Sequence, residues 1–470
     1  MPPLAADPKV AELHAWLDAH ADEQIETTRQ MLRIDSVETA AEPNAPYGAG
    51  NRRALDLALS LAAGAGMATT DLEGHLGYGD FGRGERLVFA VGHLDVVPVG
   101  SAWTKEPFGA QIEDGYLYSR GATDDKGPTM AAFWAMRAIK ECCPDLPSRM
   151  RMGFGCDEES GFGCVERYVQ TEEAPTFGIT PDSGWPCYNA EKGICDLRVT
   201  LTAPEGEVRL TALRGGSRPN IVIDACTATV RVAPSIRSNV EAILGRYFDR
   251  NLTTGWEGDD LKIEAVGLAA HGSQPFTGDS AAVRIFRLIL AISPPETLEF
   301  YQTLLGTVHP GGEGLGIHGM DPVTGLLSCN LGVVDAENEV LSLLFNIRYN
   351  VDTNGESLRD RASAKLAGIG GSVEIERDSP PLYFPADSAL VRTIVDVYET
   401  ETGEHKAPGA MGGGTYARAV PNTISIGTCW SGDGYAHGPD ERIKVEHLLK
   451  IAKIYAHILY RLATLPENAA

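Results

Sequence analysis

Hydrophobic and polar positions follow two patterns along this chain of 470 residues. Short continuous apolar runs, of which residues 87–92 are the clearest, are typical of strands buried on both faces in a parallel sheet. Longer stretches repeat apolar residues at helical spacing. The first of these, from Val10 to Met31, predicts one long helix or a helix pair, and the last, from Val445 to Ile458, predicts a C-terminal helix. Together the two patterns predict an α/β fold.

The pattern changes after residue 192. From there the sequence predicts strands alternating with helices, which is typical of a separate α+β unit. The predicted strands lie around 194–202, 220–232, 261–270, 326–334 and 339–351, and the predicted helices around 236–248, 280–292 and 356–367. Because 470 residues exceed what one core organises, we predict a discontinuous main domain of residues 1–192 and 388–470, with residues 193–387 inserted as a second domain.

Composition narrows the class of protein. Hydrophobic residues make up 43% of the chain and charged residues 22%, as in ordinary globular proteins. The formal net charge of −24 argues against a nucleic-acid partner, which needs clustered Lys and Arg. No apolar stretch approaches the ~18 residues of a membrane helix, and no secretory signal is recognisable, so we expect no membrane partner. The nine cysteines form no Cys-x-x-Cys pair, and we expect a cytoplasmic location.

One glycine pattern is misleading. Gly77-x-Gly79-x-x-Gly82 matches the dinucleotide-binding fingerprint by letter. It precedes a predicted strand and opens no helix, so it fails the structural context that the fingerprint requires. We predict a turn at this point.

The first candidate functional residues lie at the end of the apolar run of residues 87–92. A buried strand does not end in an imidazole and a carboxylate unless both groups have partners. His93 and Asp95 are two residues apart, so both side chains point the same way from an extended chain. The pair is either a metal-binding histidine held by a carboxylate or a hydrogen-bonded structural histidine.

Further polar residues follow the ends of other predicted strands. Taken singly, Asp124 is also explained as a helix cap, and the acids near residue 158 as a solvated turn. Because the carboxyl ends of parallel strands form one edge where ligands bind, a shared site accounts for them together. Nitrogen and oxygen donors suit Zn²⁺, with Mn²⁺ or Co²⁺ as alternatives. The residues concerned are His93, Asp124, Glu158, Glu159, Asp182 and His437.

Four motifs carry a family resemblance: residues 93–98, 121–127, 157–161 and 436–438. They resemble the co-catalytic zinc metallopeptidases, a superfamily that includes glutamate carboxypeptidase, acetylornithine deacetylase, aminoacylase and carnosinase-like dipeptidases. Pro181-Asp182, Glu191-Lys192-Gly193, the long insert and the segment 412–418 look most like bacterial PepV-type dipeptidases. The resemblance implies a catalytic domain with a mixed, mainly parallel sheet between helices, plus an inserted α+β lid domain.

The resemblance also implies a metal centre of two Zn²⁺ per chain. Asp124 would bridge the two ions. His93 and Asp182 would complete the protein ligands of one ion, and Glu159 and His437 those of the other. The family further implies a cis peptide bond between Asp124 and Asp125.

The same resemblance assigns catalytic roles. Glu158 would be the general base, and Asp95 would orient the ring of His93. His271 would stabilise the oxyanion, with a hydrogen-bonded loop histidine as the alternative.

Substrate-binding roles follow in the same way. Asn220 and Arg348 would hold the C-terminal carboxylate of the substrate, and for Arg348 a surface ion pair is the alternative. The segment from Gly413 and Gly414 to Thr415 would offer backbone N–H groups to the same carboxylate, or only backbone flexibility.

These assignments predict a metallopeptidase that hydrolyses unblocked dipeptides, and we expect a monomer. The first rival is an N-acyl amino acid deacylase or carboxypeptidase using the same site. The second is a catalytically silent scaffold that keeps the fold for binding. The second is disfavoured because the sequence lacks no ligand or base position.

Overall fold

The computed structural model describes residues 7–337, 339–434 and 436–466. Within these residues the helices are α1 Pro8–Ala19, α2 Ala21–Leu32, α3 Ala49–Gly64, α4 Lys126–Cys142, α5 Gly163–Thr171, α6 Arg237–Leu244, α7 Ala281–Ile292, α8 Pro295–Thr307, α9 Gly355–Leu366, α10 Ala389–Thr402, α11 Tyr416–Ala419 and α12 Val445–Ala463. None of these helices is long and apolar enough to cross a membrane.

The strands of the first part of the chain are β1 Ala68–Asp71, β2 Leu76–Gly82, β3 Leu87–His93, β4 Gln111–Glu113, β5 Tyr116–Tyr118, β6 Arg149–Gly155, β7 Phe177–Ser183 and β8 Cys187–Glu191. Those of the middle part are β9 Gly193–Thr202, β10 Val208–Gly215, β11 Ala225–Val232, β12 Leu252–Glu257, β13 Asp260–Val266, β14 Met320–Asp321, β15 Gly325–Leu326, β16 Ser328–Glu337, β17 Val340–Tyr349, β18 Ser372–Ser379 and β19 Leu382–Tyr383. Three more follow: β20 Gly409–Met411, β21 Thr423–Gly427 and β22 Arg442–Lys444.

The chain divides into two compact units. The second unit is Ala190–Tyr383 with Ala410–Gly413, and the first unit holds the remainder. The predicted insert of residues 193–387 did not include the short segment 410–413. That segment belongs to the second unit because its carbonyl groups accept hydrogen bonds there: Lys192 N–H donates to Met411 O at 3.0 Å, and Arg348 donates to Gly412 O at 2.9 Å.

The first unit is built on a mixed sheet with the strand order β1-β2-β6-β3-β7-β21-β8. The four central strands, from β6 to β21, are parallel, and the flanking pairs are antiparallel. Helices cover both faces. On one side Phe89 of β3 stacks on Tyr168 of α5 with ring centroids 4.9 Å apart, and on the other Gly92 faces Thr129 of α4. The predicted α/β class is confirmed.

Burial explains why β3 lies at the centre of this sheet. All seven residues of Leu87–His93 are buried, as the continuous apolar run predicts for a strand covered on both faces. At the N-terminus the helix-pair alternative is confirmed, since α1 and α2 are separated at His20.

The predicted turn at Gly77–Gly82 is wrong, because these residues form most of β2. The glycines serve packing there. A Cβ atom at Gly77 would lie 2.8 Å from Leu59 Cδ2, and one at Gly79 would lie 3.1 Å from Ala62 Cβ, so α3 approaches the strand too closely for a side chain. The glycine pattern reflects helix-on-strand packing.

The second unit contains an antiparallel sheet of eight strands in the order β12-β13-β11-β10-β16-β17-β9-β18. The sequence did not predict β10, β12, β18 or α8. Two of these strands, β12 and β18, are the edges of the sheet and are mostly exposed. Polar and charged residues on exposed edges obscure the alternation by which a strand is recognised.

Candidate metal centre

The predicted strand-end residues of the first unit converge at one edge of its sheet. His93 is the last residue of β3, Asp182 lies near the end of β7, and the 158–159 pair follows β6. One ligand atom each from His93, Asp124 and Glu159 lie within 4.8 Å of one another, and the same holds for His93, Glu158 and Asp182. The two groups share His93, so together they form a single cluster.

Asp124 lies between the two histidines of this cluster. Its Oδ1 is 3.1 Å from His93 Nε2, and its Oδ2 is 3.1 Å from His437 Nε2. The same His437 nitrogen is 3.1 Å from Glu159 Oε1. Helix α4 takes Asp125, not Asp124, as its N-cap residue, so the Asp124 carboxylate is directed to the histidines instead of capping the helix. The peptide bond between Asp124 and Asp125 is cis.

Asp95 joins the end of β3 to the acidic loop. His93 Nδ1 lies 3.0 Å from the Asp95 backbone oxygen and 3.5 Å from Asp95 Oδ1. The other carboxylate oxygen accepts backbone N–H groups from Glu158 at 2.9 Å and from Glu159 at 3.0 Å. Asp95 therefore orients the imidazole from its Nδ1 side, which leaves Nε2 directed into the cluster, and it holds both glutamates on the opposite loop.

The acids of the cluster repel one another. Burial raises the pKa of Glu158 well above its ordinary value, and the like charges of Glu159 and Asp124 add to the increase. Burial also raises the pKa of Asp182, again reinforced by Glu158 and Asp124. This crowding of buried negative charge is what bound cations would neutralise.

The same negative charges stabilise the protonated form of both histidines. Hydrogen bonds to Asp124 and Glu159 raise the pKa of His437 to about 10. For His93, burial acts to lower the pKa, but hydrogen bonds to Asp124 and Asp95 outweigh it and the pKa rises. Each histidine thus lies in a strongly negative environment that favours positive charge at its ring.

Unsatisfied buried oxygens test whether metal ions fit this cluster. Glu158 Oε1 and Asp125 Oδ1 are buried and have no hydrogen-bond partner among the described residues. Buried polar atoms of this kind require an explanation, and binding of a cation is one. The donors are imidazole nitrogen and carboxylate oxygen, which suit Zn²⁺, Mn²⁺ and Co²⁺. The residues therefore fit divalent cations.

Sequence reasoning missed two residues beside the cluster. Glu441 is fully buried and accepts hydrogen bonds from the backbone N–H groups of Thr123 and Asp124. Arg120 is also fully buried and pairs with Glu441 at 2.7 Å. The only signal in the sequence was their position beside the motifs, with Arg120 directly before residues 121–127 and Glu441 three residues after residues 436–438. Charged residues in loops are normally exposed.

In the second unit the structure brings His271 and Asn220 together. Gly272 N–H donates to the Asn220 carbonyl at 2.7 Å, and Ile221 forms an isolated β-bridge with His271. The ring of His271 is exposed, and its Nδ1 lies 2.7 Å from Ser273 Oγ. The two predicted residues therefore lie on neighbouring loops.

Arg348 is connected to the same region through the glycine segment. It is only 6% exposed, so it is not a surface residue, and it donates to Asn346 Oδ1 and Gly412 O. A Cβ atom at Gly412 would lie 3.3 Å from Ser273 Cβ. Gly413 thus belongs to the unit that carries Arg348.

The neighbouring Gly414 and Thr415 belong to the first unit. Thr415 Oγ1 accepts the backbone N–H of Ala417 at 3.2 Å and so caps α11. A local structural role therefore exists for Thr415.

A family model and curated relatives both match most of this chain. Residues 90–461 match the model of "Peptidase family M20/M25/M40". The protein named Putative dipeptidase YtjP, from Bacillus subtilis (strain 168), is 34% identical over 460 residues, which cover 94% of this chain and 97% of the relative. Another named Putative dipeptidase, from Staphylococcus epidermidis, is 30% identical over 459 residues with coverages of 94% and 97%.

Solved structures share the fold at lower identity. Human carnosine dipeptidase 1 aligns with a TM-score of 0.58 and 16% identity, covering 97% of this chain and 99% of that one. Aminoacylhistidine dipeptidase from Vibrio alginolyticus aligns with a TM-score of 0.58 and 15% identity, covering 94% and 96%. At these identities the likeness concerns the fold.

Proposed function

The chain belongs to peptidase family M20/M25/M40 and is a metallopeptidase, and from that premise we propose that it hydrolyses unblocked dipeptides at a centre of two divalent cations. One observation carries the proposal: Asp124 has one carboxylate oxygen 3.1 Å from His93 and the other 3.1 Å from His437. A carboxylate shared in this way between two donor groups suits a bridging ligand. We propose Zn²⁺ as the metal; His93 and Asp182 would hold one ion, and Glu159 and His437 would hold the other.

The cations would supply polarisation of the scissile carbonyl and acidification of the attacking water. The protein's own residues would carry out the proton transfers. Glu158 takes a proton from that water and delivers it to the leaving amine. Two features support this role: its Oε1 has no hydrogen-bond partner among the described residues, and burial raises its pKa, so that its affinity for a proton increases. Asp95 keeps the Glu158 backbone in place through its N–H.

For the second unit we propose the roles that the family resemblance implies. His271 stabilises the oxyanion, and Asn220 and Arg348 bind the C-terminal carboxylate of the dipeptide, with backbone N–H groups of Gly413, Gly414 and Thr415 as further donors. The pairing of the His271 and Asn220 loops supports a shared task for these two residues.

We also propose a cytoplasmic location. All nine cysteines are free thiols in the structure, and eight of them are buried. This is compatible with a reducing compartment.

A substrate panel tests the proposed function. The metal-loaded protein is expected to hydrolyse free dipeptides and to reject the same dipeptides carrying an N-acyl group, and chelation followed by dialysis is expected to abolish turnover. Amino acid release measured by chromatography gives the rates, and re-addition of Zn²⁺ is the control for chelator damage. Faster hydrolysis of the N-acylated compounds would favour a deacylase, and unchanged turnover in the chelated protein would contradict the proposal.

Replacing Arg348 with lysine tests the carboxylate-binding role. Lysine keeps the charge but loses the paired donors, and a hydrogen bond to a charged group contributes roughly 1.5–3 kcal/mol, so KM for a free dipeptide is expected to rise about 10- to 100-fold. The measurement is steady-state kinetics on a dipeptide and on its C-terminal amide. The preference for the free carboxylate should collapse in the variant.

The matched control is Arg198→Lys, which alters an arginine of β9 in the same sheet that donates to Ser342. Its KM values are expected to match those of the parent. If Arg348→Lys kept the full preference for the free carboxylate, the assigned role would be wrong.

A further inference from the structure

Glu441 and Arg120 form an ion pair from which water is fully excluded. Both residues have an exposed fraction of 0%, and Arg120 Nη1 lies 2.7 Å from Glu441 Oε2. Removing two charges from water costs several kcal/mol per ion, so a buried pair is weak evidence for a stabilising role. The contacts around the pair indicate what it does instead.

Glu441 organises the loop that carries Asp124. Its Oε1 accepts the backbone N–H and the hydroxyl of Thr123 at 2.9 and 3.0 Å and the backbone N–H of Asp124 at 3.2 Å. Its Oε2 accepts the backbone N–H of Gly121 at 3.1 Å in addition to the guanidinium. One carboxylate therefore determines the path of the backbone from residue 121 to residue 124.

Arg120 holds the loop that carries His437. Its guanidinium donates to the carbonyl of His437 at 3.4 Å and to that of Gly438 at 3.3 Å. The Trp103 ring packs against it, with 5.2 Å from the guanidinium carbon to the ring centroid. His437 itself has a positive φ of 64°, a conformation that persists only where surrounding contacts maintain it.

The ion pair thus joins the two loops whose side chains meet at the 3.1 Å contact between Asp124 and His437. Apart from the shared Asp124, the donors of the other ion depend on different contacts: His93 is held through its backbone N–H by Asp125 and at its ring by Asp95, and Asp182 belongs to β7. We propose that Glu441, acting with Arg120, is a positioning residue for the cation held by Asp124, Glu159 and His437. This inference rests on the proposed function.

The test is Glu441→Gln in the full-length protein. An amide cannot accept hydrogen bonds on both sides, so one group of N–H donors would face the NH₂ group and the two loops would separate. Loss of a supporting partner typically lowers metal affinity by about 10- to 100-fold. We expect that loss for one of the two ions and little change for the other, measured by elemental analysis after dialysis and by competition titration of Zn²⁺ with a chromophoric chelator.

A matched control separates positioning from general destabilisation. Asp80 forms a bidentate pair with buried Arg151 at 2.7 and 2.8 Å in the same unit, away from the cluster. Asp80→Asn is expected to lower the thermal unfolding temperature, yet to retain both ions with the affinities of the parent.

The possible results are distinct. Selective loss of one ion in Glu441→Gln, with both retained in Asp80→Asn, supports the inference. Binding of both ions by Glu441→Gln with the affinities of the parent overturns it. The inference is also overturned if Glu441→Gln and Asp80→Asn both lose the two ions to the same extent. A parent protein that fails to bind two ions would overturn the proposed function itself, so the two failures are distinguished by the parent's stoichiometry.

Discussion

Replacing Glu158 with glutamine is expected to lower kcat by about 10²- to 10⁴-fold, the range that a positioned general base contributes. Glutamine preserves the size of the side chain and its backbone contact with Asp95, but it cannot accept and return a proton. Because the substrate-binding groups are unchanged, KM should stay close to that of the parent. Steady-state kinetics on a free dipeptide, with the metal content of each sample measured in parallel, provides the check.

The metal measurement is essential because geometry alone offers Glu158 a second role. One of its oxygens lies within 4.8 Å of ligand atoms of His93 and Asp182, close enough for it to be a ligand. A general base leaves the metal content unchanged when it is replaced, whereas a ligand does not. Loss of an ion from Glu158→Gln would therefore contradict the proposed role, and an unchanged kcat would show that Glu158 is not the general base.

The neighbouring Asp157 provides a matched control. Its Oδ2 accepts the backbone N–H of Gly163 at 2.8 Å and so closes the following turn. Asp157→Asn makes the same chemical change one residue away and retains an oxygen that can accept this hydrogen bond. It is expected to keep most of the activity of the parent.

Replacing Asp124 with alanine is expected to have an even larger effect, because it removes the carboxylate that lies between both histidines. Both cations should be lost or bound much more weakly. Bound cations would contribute several kcal/mol of transition-state stabilisation, so kcat/KM is expected to fall by at least about 10³-fold. Elemental analysis and dipeptide turnover at a fixed, buffered Zn²⁺ concentration measure the two losses separately.

Thermal unfolding provides an independent reading of the same variant. A ligand that binds only the folded state stabilises it by about 4 kcal/mol at a free concentration 1,000 times its Kd. Adding Zn²⁺ should therefore raise the unfolding temperature of the parent and leave that of Asp124→Ala almost unchanged. A variant that still responded to Zn²⁺ as the parent does would show that Asp124 is not a shared ligand.

Much of the site could be predicted because it rests on local rules. The alternation of side chains along a strand places His93 and Asp95 on the same side, and the structure has both directed at one cluster. The apolar run before them identified β3 as a buried strand, and all of its residues are buried. The roles of the individual ligands stay predictions.

Other features could not be predicted from the sequence because they depend on contacts between segments that are distant along the chain. Segment 410–413 joined the second unit through hydrogen bonds to Lys192 and Arg348, which no local pattern reveals. The glycines of β2 looked like a turn because the closeness of α3 is absent from the local sequence.

By itself, the sequence determined the central buried strand β3, the polar residues that follow the strand ends and the family to which those residues point, since periodicity and motif spacing are properties of neighbouring positions. Only the tertiary structure decided which of those residues meet and which buried charges hold them. Glu441 illustrates the difference: a glutamate in a loop becomes a fully buried acceptor of five hydrogen bonds only because Arg120 and the 121–124 backbone surround it. Burial and pairing of charge are set by the complete fold, because the cost of removing a charge from water is offset only by partners that folding brings to it.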